Sequence, residues 1–211
     1  MIPFLIKGLN DVIHENTNGA IVSFSDLGVA YSGLSGKSAE DFGKGKPYIT
    51  YLNVYQNSTI DETRHELVEI SESERQNKVQ YGDLLFTLSS ETADEVGIGS
   101  VYLGEEEELY LNSFCFGVHI TATDKVYSPY LAFFVSCTPF RKFIFPLAQG
   151  STRFNLHKSD FMTKKFILPS IKEQHQVANI LGALTTKVQN EELLLYNYKL
   201  QKEHLLRSMF I

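Results

Sequence analysis

The sequence has little of what membrane-spanning, secreted and metal-binding proteins need. No apolar run reaches the roughly 18 residues of a membrane span. The opening segment Met1–Lys7 is too short for a signal peptide and lacks its basic flank. The only two cysteines, Cys115 and Cys137, have no metal-ligand spacing, and the six histidines form no cluster. We therefore expect a cytoplasmic protein with reduced cysteines, no bound metal and no membrane contact.

The motifs that usually carry catalysis are incomplete or absent. A phosphate loop ending in Gly36-Lys37-Ser38 would need a glycine where Tyr31 stands. His65-Glu66 lacks the second histidine of a zinc-protease helix, and neither Gly-x-Ser-x-Gly nor a dinucleotide-binding glycine fingerprint occurs. The acidic run Glu105–Glu108 indicates a solvated turn, because mutual repulsion disfavours a buried acid–base pair. We therefore expect a non-catalytic protein without a cofactor.

Charge is distributed unevenly along the chain. The net charge of −6 argues against an unspecific nucleic-acid binder. Residues 1–138 hold 8 Lys and Arg against 20 Asp and Glu, a net of −12, whereas residues 139–166 carry a net of +5. A local basic segment on an acidic chain fits a specific docking surface, and an ordinary solvated surface is an equal alternative.

Residues 1–168 are predicted to form a strand-rich α+β domain. Short β-branched and aromatic runs alternate there with glycine and polar residues. Ser128-Pro129 predicts a helix that continues to Ser136, and a second short helix is expected after Pro139. The strands are expected at Ala20–Phe24, Pro47–Val54, Asp83–Leu88, Gly99–Leu103 and Phe114–Ile120.

Residues 169–211 are predicted to form one long helix, expected at 171–209. Ser170 and Glu173 have the spacing of a capping box, and no proline follows before Met209. Ten positions then recur at alternating steps of four and three residues, the pattern of a coiled coil. We call these ten positions the seam: Val177, Leu181, Leu184, Val188, Glu191, Leu195, Tyr198, Lys202, Leu205 and Met209. All of them except Glu191 and Lys202 are apolar.

The length of this helix bears on what it does. A helix over 171–209 spans ~58 Å, whereas a compact domain of this size is only ~40 Å across. We therefore expect the helix to project and its seam to contact a partner helix. A helix buried in the core of the domain is the alternative.

Several segments, in their order along the chain, resemble the specificity subunits of type I restriction–modification enzymes. Ala148–Leu156 and Lys165–Gln174 are similar to the family's junction, in which a Gly-Ser-Thr loop precedes a strand, a proline and a Glu-Gln pair that opens a spacer helix. Leu205–Phe210 resembles the end of that helix. Gly33–Val54 and Gly82–Gly97 are similar to the early loop and middle strand of one subgroup.

The resemblance implies a non-catalytic subunit that recognises the sequence of double-stranded DNA. Family members usually carry two recognition domains and two spacer helices that pack antiparallel. They bind two methyltransferase subunits and, through these, the restriction subunit. This sequence has one domain and one helix. It is either a half-size subunit that forms a homodimer on two inverted half-sites or a fragment of a longer subunit.

The Gly-Ser-Thr loop offers both kinds of DNA contact. Arg153 can form a forked pair with a guanine edge, and Gln149 or Asn155 can pair with adenine. Ser151 and Thr152 suit phosphate oxygens. A turn with a helix cap is the alternative for this loop.

The remaining candidate DNA contacts lie in other polar segments. The three lysines of a glycine-rich segment suit phosphates, with a flexible linker as the alternative. An Arg-Lys pair after Pro139 can follow the DNA backbone or face solvent, and Glu91 can accept from cytosine or cap a turn. These candidates are Lys37, Lys44, Lys46, Ser89, Ser90, Glu91, Thr92, Arg141, Lys142 and Lys158.

A second class of function stays open on the residues alone. A protein-interaction adaptor could use the same α+β domain and assemble through the same helix. Only the basic segment 139–166 and the loop around Arg153 favour DNA as the ligand.

Overall fold

A computed structural model describes residues 2–15 and 18–209 of the chain. Met1, the first residue of the predicted domain, lies outside the described residues. Phe210 and Ile211, at the end of the predicted long helix, also lie outside them.

The described residues contain seven α-helices. Pro129 lies in the first turn of α4 and Pro139 in the first turn of α5, where a missing N–H costs no helical hydrogen bond. Both helices were predicted. The helices are α1 (Ile2–Glu15), α2 (Phe24–Leu27), α3 (Tyr51–Gln56), α4 (Ser128–Ser136), α5 (Thr138–Ile144), α6 (Lys158–Thr163) and α7 (Ile171–Met209).

Short strands and three 3-10 turns, at Ala39–Asp41, Ala93–Glu95 and Phe145–Leu147, make up the rest of the regular structure in the described part of the chain. All strands have eight residues or fewer. The strands are β1 (Ala20–Val22), β2 (Gly28–Ser32), β3 (Phe42–Ile49), β4 (His65–Val68), β5 (Leu84–Thr87), β6 (Ser89–Ser90), β7 (Gly99–Val101), β8 (Tyr110–Leu111), β9 (Cys115–Ile120), β10 (Ala148–Gln149), β11 (Phe154–Leu156) and β12 (Phe166–Leu168).

The strands pair into four small sheets. The central antiparallel sheet has the order β2-β9-β5-β7, and a second sheet has the order β4-β3-β8 with β3 and β8 parallel. Strands β10-β11-β6 form a third, antiparallel sheet. The first strand, β1, pairs with the last strand, β12.

Aromatic side chains fill the core between the central sheet and the helices. Phe24 stacks on Phe161 with 4.7 Å between ring centroids, and Phe86 and Phe116 contact the same Phe161 ring. All four rings are fully buried. Burial of each such side chain contributes roughly 2–3 kcal/mol, so this cluster is what joins α2 and α6 to the sheet.

Helix α1 lies against α4, α5 and α7. The Asp11 carboxylate accepts from the backbone N–H and the hydroxyl of Thr138, at 2.6 and 2.7 Å, and so occupies the first turn of α5. His14 hydrogen-bonds the Tyr130 hydroxyl at 3.0 Å on α4, and burial lowers the pKa of His14 below 6.5. This helix was not among the predicted elements.

The strand predicted over Pro47–Val54 was wrong in its second half. Strand β3 ends at Ile49, and Thr50 then caps α3 by accepting from the backbone N–H of Asn53 at 3.2 Å. The glycine-rich segment that carries Lys37, Lys44 and Lys46 is partly strand, because β3 begins at Phe42. The four other predicted strands contain β1, β5, β7 and β9.

The predicted capping box starts α7. The Glu173 carboxylate accepts from the backbone N–H and the hydroxyl of Ser170, at 2.9 and 2.6 Å, and these bonds lower the pKa of Glu173. The Ser170 hydroxyl accepts in turn from the N–H of Glu173.

The start of α7 packs on the domain and the rest projects from it. Gln174, Ala178 and Leu181 are buried, whereas every side chain from Gln189 to Met209 is exposed. Within the described residues, no helix is both long and apolar enough to span a membrane.

Candidate nucleic-acid interface

Strands β10, β11 and β6 bring two distant candidate segments together. Asn155 lies opposite Gln149 on one side and opposite Ser89 on the other. Gly150, at the start of the loop, has φ = +138°, and a Cβ there would lie 2.1 Å from the carbonyl oxygen of Arg153. The loop is therefore tight and requires glycine at this position. It presents exposed polar side chains to solvent: Gln149, Ser151, Thr152, Arg153 and Asn155.

Arg153 is held at the edge of this sheet by two contacts. Its guanidinium lies over the Phe114 ring, 5.5 Å from the centroid, and one Nη donates to the Ser89 hydroxyl at 3.3 Å. Phe114 is 53% exposed. The stacked guanidinium keeps most of its five donors free for a ligand and is oriented before the ligand arrives.

A cleft of about 360 Å³ opens beside Arg153. Tyr51 and Tyr55, one helical turn apart on α3, form one wall with their rings stacked 6.0 Å apart. Tyr51 donates to the backbone carbonyl of Ser89 at 3.1 Å, which ties α3 to β6. The lining residues are Tyr51, Leu52, Tyr55, Ser89, Ser90, Glu91, Glu95, Phe114 and Arg153.

Glu95 supplies an ionised carboxylate to the cleft. It accepts from the Tyr55 hydroxyl at 2.7 Å and from the Ser90 hydroxyl at 2.8 Å, and these bonds lower the pKa of Glu95. The same hydrogen bond raises the pKa of Tyr55. The site thus combines a fixed negative group inside the cleft with a positive group at its rim.

Five lining residues of this cleft were not predicted from the sequence: Tyr51, Leu52, Tyr55, Glu95 and Phe114. The strand predicted over Pro47–Val54 includes Tyr51 but ends before Tyr55, so it did not bring the two tyrosines together. The usable signal was the four-residue spacing of the two tyrosines after a capping Thr50, which is typical of one face of a helix.

The three candidate lysines lie away from this sheet and contact carboxylates. The Lys37 ammonium contacts the Glu74 carboxylate and the backbone carbonyl of Glu69, and its contact with a phosphate stays a prediction. Lys44 pairs with Glu69 at 2.8 Å and Lys46 with Glu108 at 2.5 Å, both at the surface. The Glu69 hydrogen bond raises the pKa of Lys44.

Arg141 holds the chain together instead of lying along the surface. Its two terminal nitrogens donate to the backbone carbonyls of Asp94, Val96 and Gly97 at 2.6–2.8 Å. Burial lowers the pKa of Arg141. The predicted phosphate contact at Arg141 is therefore corrected to a structural role, because these bonds anchor the segment that carries Glu95.

The other polar candidates lie near the loop with different exposures. Lys142, Glu91 and Thr92 are exposed. Lys158 is half-buried, donates to the Ser32 hydroxyl at 2.7 Å and lies 5.9 Å from the centroid of the Phe116 ring. Ser90 uses its hydroxyl on Glu95 and so supports the cleft.

The structure divides the predicted seam in two. Leu181 is fully buried and Val177 half-buried on the chain's own domain, so these two residues do not face a partner. Leu184 is 38% exposed, where the helix leaves the domain. Beyond Leu184, Val188 is half-buried, and the apolar seam residues Leu195, Tyr198, Leu205 and Met209 are exposed to solvent.

The described part of the chain has neither a cluster of potential metal ligands nor an exposed cysteine. No group of three or more His, Cys, Asp or Glu side chains there has the geometry of a metal site. Both cysteines are buried, and burial raises the pKa of the Cys137 thiol to about 12.

Comparison with known proteins gives the family. Residues 22–196 match the family described as the type I restriction modification DNA specificity domain. This match spans most of the chain and includes the hairpin, the cleft and the first part of α7. The chain therefore belongs to this family, and the resemblance seen in the sequence is confirmed. Among curated proteins, no sequence matches the chain.

Solved structures support the fold at low sequence identity. A chain from a study of complex assembly and conformational transition of the type I R-M system has a TM-score of 0.64 and 14% identity, over 97% of this chain and 49% of that one. The type I S subunit from M. genitalium has a TM-score of 0.55 and 16% identity, over 90% and 45%. The HsdS subunit from Thermoanaerobacter tengcongensis has a TM-score of 0.58 and 13% identity, over 92% and 45%. This chain thus spans about half the length of each of these proteins.

Proposed function

We propose that this protein is a non-catalytic DNA sequence-recognition subunit of a type I restriction–modification system and binds one half-site of a bipartite target. Membership of the specificity-domain family carries this conclusion. The family favours it over the protein-interaction adaptor. In the proposed division, residues 1–168 are the recognition domain and residues 169–211 are the spacer helix.

The DNA-recognition surface is the hairpin of β10 and β11 with the adjacent rim of the cleft. Arg153 is the residue that recognises a guanine edge, because its guanidinium is exposed and oriented by Phe114. Gln149 and Asn155 are the candidates for adenine, since they lie side by side on neighbouring strands. Ser151, Thr152 and Lys142 are the candidates for phosphates, because all three are exposed.

The partners follow from the family and from the single spacer helix. The subunit docks methyltransferase subunits, and through them the restriction subunit, in the cytoplasm. Its second recognition half is a second copy of the same chain. Two copies related by a two-fold axis present their recognition surfaces to inverted half-sites.

Selection from a random-sequence DNA library tests this function. The purified chain, mixed with its methyltransferase subunits, is used to retain duplexes, which are then sequenced. We expect a short motif to be enriched in two inverted copies, with affinity that falls as salt rises because phosphate contacts release counterions. Absence of any enriched motif would refute sequence recognition.

Two controls accompany the selection. The chain incubated alone with DNA and a methyl donor should transfer no methyl groups, as expected of a non-catalytic subunit. Lys142→Ala should weaken binding to all sequences about equally, in contrast to a change at a base-contacting residue.

A further inference from the structure

The backbone around Glu95 is fixed from two sides. Arg141 donates to the carbonyls of both chain neighbours, Asp94 and Val96, at 2.6 and 2.8 Å. The Thr87 hydroxyl donates to the carbonyl of Glu95 itself at 3.2 Å. The carboxylate is therefore positioned before any ligand arrives, and little conformational entropy is lost when it binds one.

Glu95 keeps acceptor capacity for a ligand. The Tyr55 hydroxyl donates to one carboxylate oxygen and the Ser90 hydroxyl to the other. A carboxylate offers about four lone-pair sites, so these two bonds leave room for a further donor. The Glu95 side chain is half-buried and lines the cleft. A donor that enters the cleft therefore meets an oriented acceptor.

The positive charge in the cleft restricts which donor can reach Glu95. The Arg153 guanidinium lines the same cleft, so a lysine or arginine side chain of a protein partner would meet a like charge there, which disfavours it. The amino group of a base is an uncharged donor. In duplex DNA it lies close to base oxygens and nitrogens that accept from an arginine. The two opposite charges of the cleft therefore favour the edge of a base pair as the ligand.

Among the four bases, cytosine matches a carboxylate best. In the major groove guanine presents only acceptors, and thymine presents an acceptor and a methyl group. Adenine presents its amino group beside the N7 acceptor, to which a carboxylate cannot donate. Cytosine presents its N4 amino group as the only polar group. Glu95 is therefore matched to cytosine.

The position of this cytosine relative to the guanine follows from β6. Ser89 accepts from Arg153 at 3.3 Å, and the next residue, Ser90, donates to Glu95 at 2.8 Å. The Cα atoms of consecutive residues are about 3.8 Å apart, which is close to the rise of ~3.4 Å between base pairs. The two charged groups therefore suit the same base pair or two neighbouring ones.

From this arrangement we propose that Glu95 is a specificity-determining residue that accepts a hydrogen bond from the N4 amino group of a cytosine. This cytosine lies no more than one base-pair step from the guanine that Arg153 contacts. Tyr55 and Ser90 position the carboxylate. The proposal rests on the proposed function and deepens it by assigning one further base of the half-site.

Glu95 contributes to specificity more than to affinity. A carboxylate near DNA is repelled by the phosphates, and its bond to cytosine offsets this repulsion only on the correct sequence. Glu95→Gln keeps the size of the side chain and one acceptor oxygen while it removes the charge. We expect this variant to bind random-sequence DNA more tightly and the selected duplex less tightly. Discrimination at one G·C position should fall roughly tenfold.

Fluorescence anisotropy with the chain and its methyltransferase subunits measures both affinities. Asp94→Asn is the matched control, because Asp94 is the adjacent residue, is exposed and lies outside the cleft lining. It removes the same charge and should keep full discrimination. Tyr55→Phe removes one hydroxyl that holds the carboxylate and should weaken discrimination at the same position by a smaller factor. Equal changes for Glu95→Gln and Asp94→Asn would overturn the proposal.

Modified cytosines test the same contact without a change in the protein. N4-methylcytosine keeps the amino hydrogen that pairs with guanine and loses the one that faces the major groove, whereas 5-methylcytosine keeps both. We expect N4-methylcytosine at this position to weaken wild-type binding roughly tenfold and binding by Glu95→Gln much less. 5-Methylcytosine should have little effect. Equal losses for the two modified bases would show crowding in the groove and overturn the hydrogen bond to Glu95.

The outcomes separate this proposal from the proposed function. A motif that is enriched in the DNA selection and unchanged at every position by Glu95→Gln would overturn the role of Glu95, while sequence recognition would stand. Absence of any enriched motif would overturn both. Loss of the methyltransferase subunits from Glu95→Gln would show a protein donor in the cleft and would also overturn the proposal.

Discussion

Arg153 is the residue to which the proposed function assigns the most specific role in DNA recognition. Its guanidinium is held over Phe114 and beside Ser89, so little side-chain entropy remains to be lost when it binds a base. An Arg153→Ala variant should lose about 1–3 kcal/mol of specific binding free energy and blur one position of the selected motif. Fluorescence anisotropy on the selected duplex and on single-base variants measures both. An equal loss of binding free energy on every duplex would show that Arg153 contacts a phosphate instead of a base.

Phe114→Leu tests whether the ring orients the arginine. The substitution keeps an apolar side chain at an exposed position but removes the face on which the guanidinium lies. Because orientation is lost while the donors remain, we expect weaker discrimination at the same motif position as Arg153→Ala, with a smaller effect. A change at a different position of the motif would contradict the proposed contact.

Arg141 is expected to affect the fold and not the motif. Arg141→Ala would leave three backbone carbonyls without their donors, and we expect the free energy of unfolding to fall by about 2–3 kcal/mol. Urea denaturation measures this loss. Lys142→Ala, on the next, exposed residue, is the matched control and should leave stability nearly unchanged.

Helix α1 should loosen in mildly acidic solution because its contact to α4 depends on neutral His14. Burial lowers the pKa of His14 in the folded chain below its ordinary value of 6.5. The unfolded chain therefore takes up a proton that the folded chain resists, so stability is full above pH 6.5 and declines as the pH falls below it. Urea midpoints measured across this range should decline less for His14→Gln than for the wild type. Parallel curves would refute the role of His14.

Sequence patterns predicted the start of a helix correctly where residues close together in the sequence determine it. The Ser170–Glu173 box and the proline-led starts of α4 and α5 depend on neighbouring residues and were predicted correctly. Helix α3 was not, because its tyrosines and Val54 favour strands and its helical state depends on packing against the central sheet. The pairing of Lys37 with Glu74 was equally hidden, since it joins residues far apart in sequence.

The candidate site was predictable on its loop side and at the polar segment of Ser89, Ser90 and Glu91. Gln149, Ser151, Thr152, Arg153 and Asn155 stand together in the sequence, and the hairpin keeps them together in space. The other lining residues belong to α3 and to the segments around Glu95 and Phe114. These segments are far from Arg153 in the sequence and lie beside it only in the folded chain. No periodicity in the sequence connects them.

At the scale of the whole molecule, a recognition domain stands at one end of a helix whose far half has exposed apolar residues. The domain's own contacts cover that helix only to about Leu181. In the proposed homodimer, pairing of the remaining seam would place two recognition surfaces at a set distance. Acidic residues dominate elsewhere on the chain, which has a net charge of −6, so tight DNA binding is expected only from the paired form with its methyltransferase partners.

The dependence of affinity on half-site spacing tests this account most directly. Duplexes that carry the selected motif twice, inverted, with spacings increased one base pair at a time, are titrated with the chain and its methyltransferase subunits. A fixed separation of two identical recognition surfaces predicts one sharp optimum of spacing, with affinity lost on either side. Affinity that stays level across the spacings, or that equals the affinity for a single motif, would contradict it.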